Sequence, residues 1–138
     1  MPRITRRLEW DAGHRILGHE GKCASLHGHR YVAEITVDAS ILDGLGRVID
    51  FGIVKELIGG WIDSHWDHTM LLHRDDPLLM HYLSPIESNS RKPYVFPDGL
   101  NPTAENIAAE LCRIAVGLLS APLRVYRVRV WETPNCWA

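Results

Sequence analysis

Ile4, Leu8, Trp10 and Ala12 fall on even positions with Thr5, Arg7, Glu9 and Asp11 between them, and only Arg6 breaks the alternation. A period of two marks a strand with one face in a core. After His27 the alternation returns in the opposite parity, with Tyr31, Ala33, Ile35 and Val37 set against Arg30, Glu34, Thr36 and Asp38. The two segments read as strands joined by a hairpin or a longer loop. From Asp50, a suitable N-cap, Val54, Leu57, Ile58, Trp61, Ile62 and His65 recur at helical spacing. A helix is expected to about Trp66, weakened by Gly59 and Gly60. Asp76 and Pro77 open a short apolar run, residues 78–83, that reads as one or two helical turns. Residues 84–102, rich in Pro, Asn, Ser and Gly, read as a loop. A stronger helix starts with Thr103 as N-cap and Glu105 in its first turn. It carries Ile107, Leu111, Ile114, Ala115 and Leu118 as one stripe and ends near Ser120. Tyr126, Val128 and Val130 then alternate with Arg127 and Arg129 in a last strand running to Glu132. Strands first, helices between and a strand last predict an α+β domain whose antiparallel sheet is covered on one face.

Composition narrows the picture. With 138 residues, 46% hydrophobic and 23% charged, the chain suits one globular domain, residues 1–138, with a real core. A net charge of -2 leaves no basic footprint for nucleic acid or an anionic membrane. No apolar run approaches the ~20 residues of a membrane span, and the first ten residues lack the apolar centre of a signal peptide, so a cytoplasmic location is expected. Cys23, Cys112 and Cys136 are too few and odd in number for a disulfide framework.

The chemistry concentrates around histidine. His27 and His29 flank a single glycine, so on a strand both imidazoles point to one side with no bulk between them. His14 continues the apolar parity of the first strand as His27 and His29 continue that of the second. If the strands pair, the three converge as a zinc site with an open fourth position. Without convergence they are separate surface or capping residues. His19, His73 and His81 have no such partners and read as structural or surface residues.

Cys23 lies four residues before His27 in a polar segment, whereas Cys112 falls inside an apolar helix. It is therefore the candidate reactive thiol, although a small loop hydrophobe or a fourth zinc ligand has the same spacing. Asp67-His68 is either a carboxylate orienting an imidazole or a helix-end pair, and neighbours in sequence do not easily bond one another. Glu132 stands either at the wet end of a strand or on a pocket floor, where it could accept two N–H bonds from a flat heterocycle.

In order, the motifs are Trp10-Asp11-Ala12-Gly13-His14, Cys23-Ala24-Ser25-Leu26-His27-Gly28-His29-Arg30-Tyr31, Asp67-His68, Pro102-Thr103-Ala104-Glu105-Asn106 and Glu132-Thr133. This set resembles the 6-pyruvoyltetrahydropterin synthase / 6-carboxytetrahydropterin synthase family over about residues 4–133. The resemblance implies a tunnelling fold: a four-stranded antiparallel sheet with two helices on one face, assembling through its edges into trimeric barrels often stacked as hexamers. It implies Zn2+ on His14, His27 and His29, Cys23 as the proton-moving base, and Asp67 and His68 assisting it, from the same or a neighbouring subunit. Glu132 would anchor the pterin, with Thr103 and Glu105 in the same pocket. The short spacing from Cys23 to His27 resembles the carboxytetrahydropterin branch. That implies conversion of 7,8-dihydroneopterin triphosphate to 6-carboxy-5,6,7,8-tetrahydropterin with release of acetaldehyde and triphosphate, in queuosine biosynthesis. The alternatives are the pyruvoyl reaction, which eliminates triphosphate only; a zinc hydrolase with Glu132 or Asp67 as base; and a non-enzymatic protein with a structural His3Cys zinc site. The triphosphate needs cations, for which Arg15, Lys22, Arg30 and Lys55 are candidates.

Overall fold

The computed structural model describes residues 1–83 and 91–138. The three strands predicted from alternation are present and are the longest: β1 (Arg3–His14), β2 (His27–Ala39) and, beyond the shorter β3 (Thr69–Leu72) and β4 (Tyr94–Val95), β5 (Leu123–Thr133). With β6 (Cys136–Trp137) they form one sheet in the order β4-β3-β1-β2-β5-β6. β1 pairs with β2, and β2 with β5, antiparallel. The expected four antiparallel strands are therefore corrected to six among the described residues, with β1–β3 and β3–β4 parallel. The added strands hold two to four residues, too few for a period of two to register.

One helical stretch follows Asp50, whose carboxylate accepts the Gly52 N–H at 2.7 Å. It comprises α1 (Phe51–Val54), a π segment (Lys55–Gly59) and α2 (Gly60–His65). Gly59 has a packing reason, because a Cβ there would lie 3.3 Å from Leu8 Cδ2 on β1. The glycine lets the helix close on the sheet. α3 (Ala104–Leu118) begins as predicted, with Thr103 Oγ1 accepting the Asn106 N–H at 3.2 Å. Of its expected stripe, Ile107, Leu111, Ile114 and Ala115 are buried and Leu118 is exposed. Glu110 is buried as well, held by the Tyr94 hydroxyl at 2.9 Å and by Arg113.

The core lies between the helices and one sheet face, joining Leu8, Trp10, Tyr31 and Ile35 to Ile58, Ile62, Ile107 and Leu111. Each such buried side chain contributes roughly 1.5–3 kcal/mol. One sequence expectation fails in β5. Tyr126 is half exposed under the Arg3 guanidinium, which sits 3.4 Å from its ring centroid. A register shift opposite Thr36 and Val37 pairs Arg127 with Thr36 and Val125 with Val37, leaving Tyr126 as the extra residue. Past this bulge the core parity passes to Leu123 and Val125. The turns expected at residues 78–83 appear as a 3-10 helix, Pro77–Leu83. The loop expected over residues 84–102 lies outside the described residues at 84–90; beyond them it contains β4 and a 3-10 turn, Pro97–Gly99.

Candidate metal centre and adjoining pocket

Antiparallel pairing sets His14 directly opposite His27 and Ala12 opposite His29 at the end of the β1–β2 ladder. Strand parity turns all three imidazoles to the helix-covered face. One ligand atom from each lies within 4.8 Å of the others. Gly28 has a packing reason: a Cβ there would come 3.2 Å from the Ala12 carbonyl oxygen across the ladder, tighter than an ordinary contact.

Two carbonyls fix the ring orientations. His14 Nδ1 lies 2.7 Å from the Pro102 oxygen, and His27 Nδ1 2.6 Å from the Ser25 oxygen. A carbonyl only accepts, so both Nδ1 atoms carry the proton and both Nε2 atoms present lone pairs. Those two Nε2 atoms face each other at 3.1 Å. Two lone pairs at that distance repel unless a proton or cation lies between them. His29 Nε2 is buried and has no hydrogen-bond partner among the described residues. Burial, reinforced by the unfavourable electrostatics of a second imidazole charge beside His27 and His29, outweighs the Pro102 bond and lowers the His14 pKa to about 4. Burial, then His27, lowers that of His29 too. At neutral pH His14 is thus an uncharged nitrogen donor, the form a metal requires. The donor set fits a divalent metal such as zinc.

Beside the histidines is a pocket of about 270 Å³ lined by His14, His19, Cys23, Thr103, Glu105 and Glu132, together with Cys136, Trp137 and Ala138. Cys23 sits in a 3-10 turn, Lys22–Ala24, and its carbonyl accepts the Ile16 N–H at 2.9 Å, which closes the β1–β2 connection over the histidines. Glu132 Oε1 lies 3.8 Å from His14 Nε2. Burial raises the pKa of Glu132, with nearby Glu105 adding to the rise and His27 opposing it. Behind the imidazoles stands a residue given only a core role from sequence: Tyr31, fully buried, contacts the rings of His14 and His29 edge-on, and its hydroxyl has no hydrogen-bond partner among the described residues. His19, read from sequence as structural or surface, also lines the pocket, as does Cys136.

Asp67 and His68 stand elsewhere. His68 lines a recess of about 390 Å³ with Asp11 and Arg30, whose parity turns them to the helix-free face, and His29 of the ligand set borders the same recess. Contrary to the expectation for neighbours in sequence, the pair does bond, His68 Nδ1 lying 2.9 Å from Asp67 Oδ2. His68 takes the left-handed backbone conformation (φ 57°) that histidine visits more readily than most residues. Burial opposes the charge on Asp67, yet the Asp11 N–H at 3.0 Å, His68 and Arg30 hold its carboxyl below the usual range. Of the cations considered for a polyanion, Arg15 is committed to buried Asp76, and Arg30 reaches Asp11 and Glu9. Neither Lys22 nor Lys55 has a carboxylate within ion-pair distance among the described residues.

The sequence profile of the family described as 6-pyruvoyl tetrahydropterin synthase matches residues 3–138. The 6-carboxy-5,6,7,8-tetrahydropterin synthase of Rickettsia bellii is 46% identical over 140 residues, covering 99% of this chain and 98% of its own. Its namesake from Rickettsia felis is 43% identical over 139 residues, covering 99% and 98%. Among solved structures, an uncharacterized protein from Wolinella succinogenes superimposes with a TM-score of 0.84 at 23% identity, over 99% of this chain and 96% of that one. The 6-pyruvoyl tetrahydropterin synthase of Caenorhabditis elegans gives 0.70 at 23%, over 100% and 94%.

Proposed function

Because the chain belongs to the 6-pyruvoyl tetrahydropterin synthase family, we propose that it is a zinc-dependent lyase of the carboxytetrahydropterin branch. It converts 7,8-dihydroneopterin triphosphate to 6-carboxy-5,6,7,8-tetrahydropterin and releases acetaldehyde and triphosphate, in the cytoplasm, for queuosine biosynthesis. The branch follows the names of relatives that are 43–46% identical over nearly the whole chain. The observation that carries the metal chemistry is the pair of lone-pair nitrogens facing each other at 3.1 Å beside a thiol-lined pocket.

His14, His27 and His29 hold the zinc, which when bound supplies Lewis acidity to oxygens of the substrate side chain. Glu132 accepts N–H bonds from the pterin ring and so sets its depth in the pocket. Thr103 Oγ1 already accepts the Asn106 N–H, which leaves its hydroxyl proton to donate to the ring, with Glu105 beside it. Cys23, on the turn above, removes and returns protons at the side-chain carbons. Lys22, in the same turn and with no carboxylate in ion-pair distance among the described residues, takes the triphosphate. Asp67 and His68, a bonded pair on the helix-free face, serve the pocket of a neighbouring copy in a trimer-based assembly, doubled to a hexamer. One domain, residues 1–138, carries every role.

The test is turnover of 7,8-dihydroneopterin triphosphate by the zinc-loaded protein, with products separated and identified. Acetaldehyde and triphosphate in equal amounts are expected. Triphosphate without acetaldehyde would move the protein to the pyruvoyl branch, and neither product would reject the reading.

A further inference from the structure

Asn101 stands between the Pro97–Gly99 turn and α3, outside the pocket lining. Its carboxamide grips a single residue of the β1–β2 connection from both sides: the Leu17 N–H donates to Oδ1 at 2.9 Å, and Nδ2 donates to the Leu17 carbonyl at 3.0 Å. This imitates one rung of a β-ladder, and it needs a side chain with a donor and an acceptor side by side. Asn101 is itself anchored, because its carbonyl accepts from Asn106 Nδ2 at 2.8 Å and from the Thr103 N–H at 2.9 Å. The next residue, Pro102, supplies the carbonyl that orients His14. Leu17 follows Ile16, whose N–H holds the Cys23 carbonyl.

A two-residue segment at the start of α3 therefore holds His14 through Pro102 and the thiol-bearing connection through Asn101. We propose that Asn101 is a positioning residue that fixes where the Cys23 thiol stands relative to the three imidazoles. The inference rests on the reading of Cys23 as the proton-transferring group, but the clamp can be measured without turnover. Asn101 touches neither ligand nor metal, so its effect passes through Leu17, Ile16 and the connection to the sulfur.

The test combines Asn101→Ala in the zinc-loaded protein with amide hydrogen exchange on the unaltered protein. In the unaltered protein, the Leu17 amide is expected to exchange far more slowly than exposed amides of the same connection. The variant should keep one zinc per chain, lose Leu17 protection and change the rate of Cys23 alkylation by iodoacetamide at least threefold. Its kcat should fall about 10- to 100-fold with KM within threefold, the scale on which sub-ångström to ångström misplacement acts. Wild-type alkylation and kcat in a folded, zinc-loaded variant would overturn the proposal. So would a Leu17 amide that exchanges as an unprotected one in the unaltered protein, a result that stands even if the variant fails to fold. Should the unaltered protein lack synthase turnover, the exchange and alkylation results still decide the clamp, so the two readings fail separately.

Discussion

Glu132→Gln separates a pterin anchor from a metal ligand. The carboxylate stands a quarter exposed at the end of β5, 3.8 Å from His14 Nε2, and no described donor hydrogen-bonds its oxygens. It is a half-buried acceptor with lone pairs to offer, and a pterin ring presents adjacent N–H groups. Glutamine keeps the shape and one acceptor but turns the other into a donor that meets the ring N–H head-on. One charge-assisted hydrogen bond is lost, about 1.5–3 kcal/mol. At about 1.4 kcal/mol per tenfold, that is roughly 10- to 150-fold in affinity. Because the ring is bound equally in ground and transition states, the loss appears in KM with kcat little changed. The assay is steady-state turnover of 7,8-dihydroneopterin triphosphate, with zinc per chain measured on the same sample. Zinc should stay at the unaltered level. A KM within twofold of the parent would refute the anchoring role, and loss of zinc would make Glu132 a fourth ligand instead.

Other outcomes follow from the same structure. Gly28→Ala drives a Cβ to 3.2 Å from the Ala12 carbonyl between two ligands, and zinc affinity measured by chelator competition should fall about 10-fold or more, as for displaced supporting groups. Asp76→Ala strands the Arg15 guanidinium and the Leu78 N–H that the buried carboxylate satisfies. Arg15 is a quarter exposed and can rehydrate, so urea unfolding should register the low end of the range for a broken buried pair, about 3 kcal/mol. Arg15 holds the Asp76 carboxyl below the usual carboxylate range, and Arg124 with Arg3 does the same for Asp38. Both groups therefore stabilise the fold above their unfolded values, near pH 4, and the gain is lost as pH falls through the lower folded values. An Asp76→Asn variant should show a shallower loss of stability in that acid window than the parent. Thr103→Ala removes the α3 cap and should cost about 1 kcal/mol in the same unfolding assay.

Much of this site could be read before any coordinates. Parity alone carried His14 to the same face as His27 and His29, because an antiparallel ladder preserves alternation from one strand to the next. The family resemblance, not any local pattern, implied that Thr103, Glu105 and Glu132 share a pocket, and the three line one with His14 and Cys23. The unread parts have physical causes. β3, β4 and β6 are too short to show a period. The bulge that expels Tyr126 depends on a register between distant strands, which no local pattern records. Asn101, Tyr31 and His19 matter through contacts with residues far away or through the shape of a loop, and their spacing is unremarkable. The Asp67-His68 bond occurs with a positive φ at His68, a conformation that sequence does not announce.

The central claim is a metal held by three imidazoles with a separate thiol that does the proton chemistry. Cys23→Ala tests it most directly, by zinc per chain and turnover of 7,8-dihydroneopterin triphosphate on one preparation. Full zinc with turnover reduced about 100-fold or more is the expected result, the scale of losing a positioned acid–base group. Zinc lost together with the thiol, or turnover kept without it, would contradict the account.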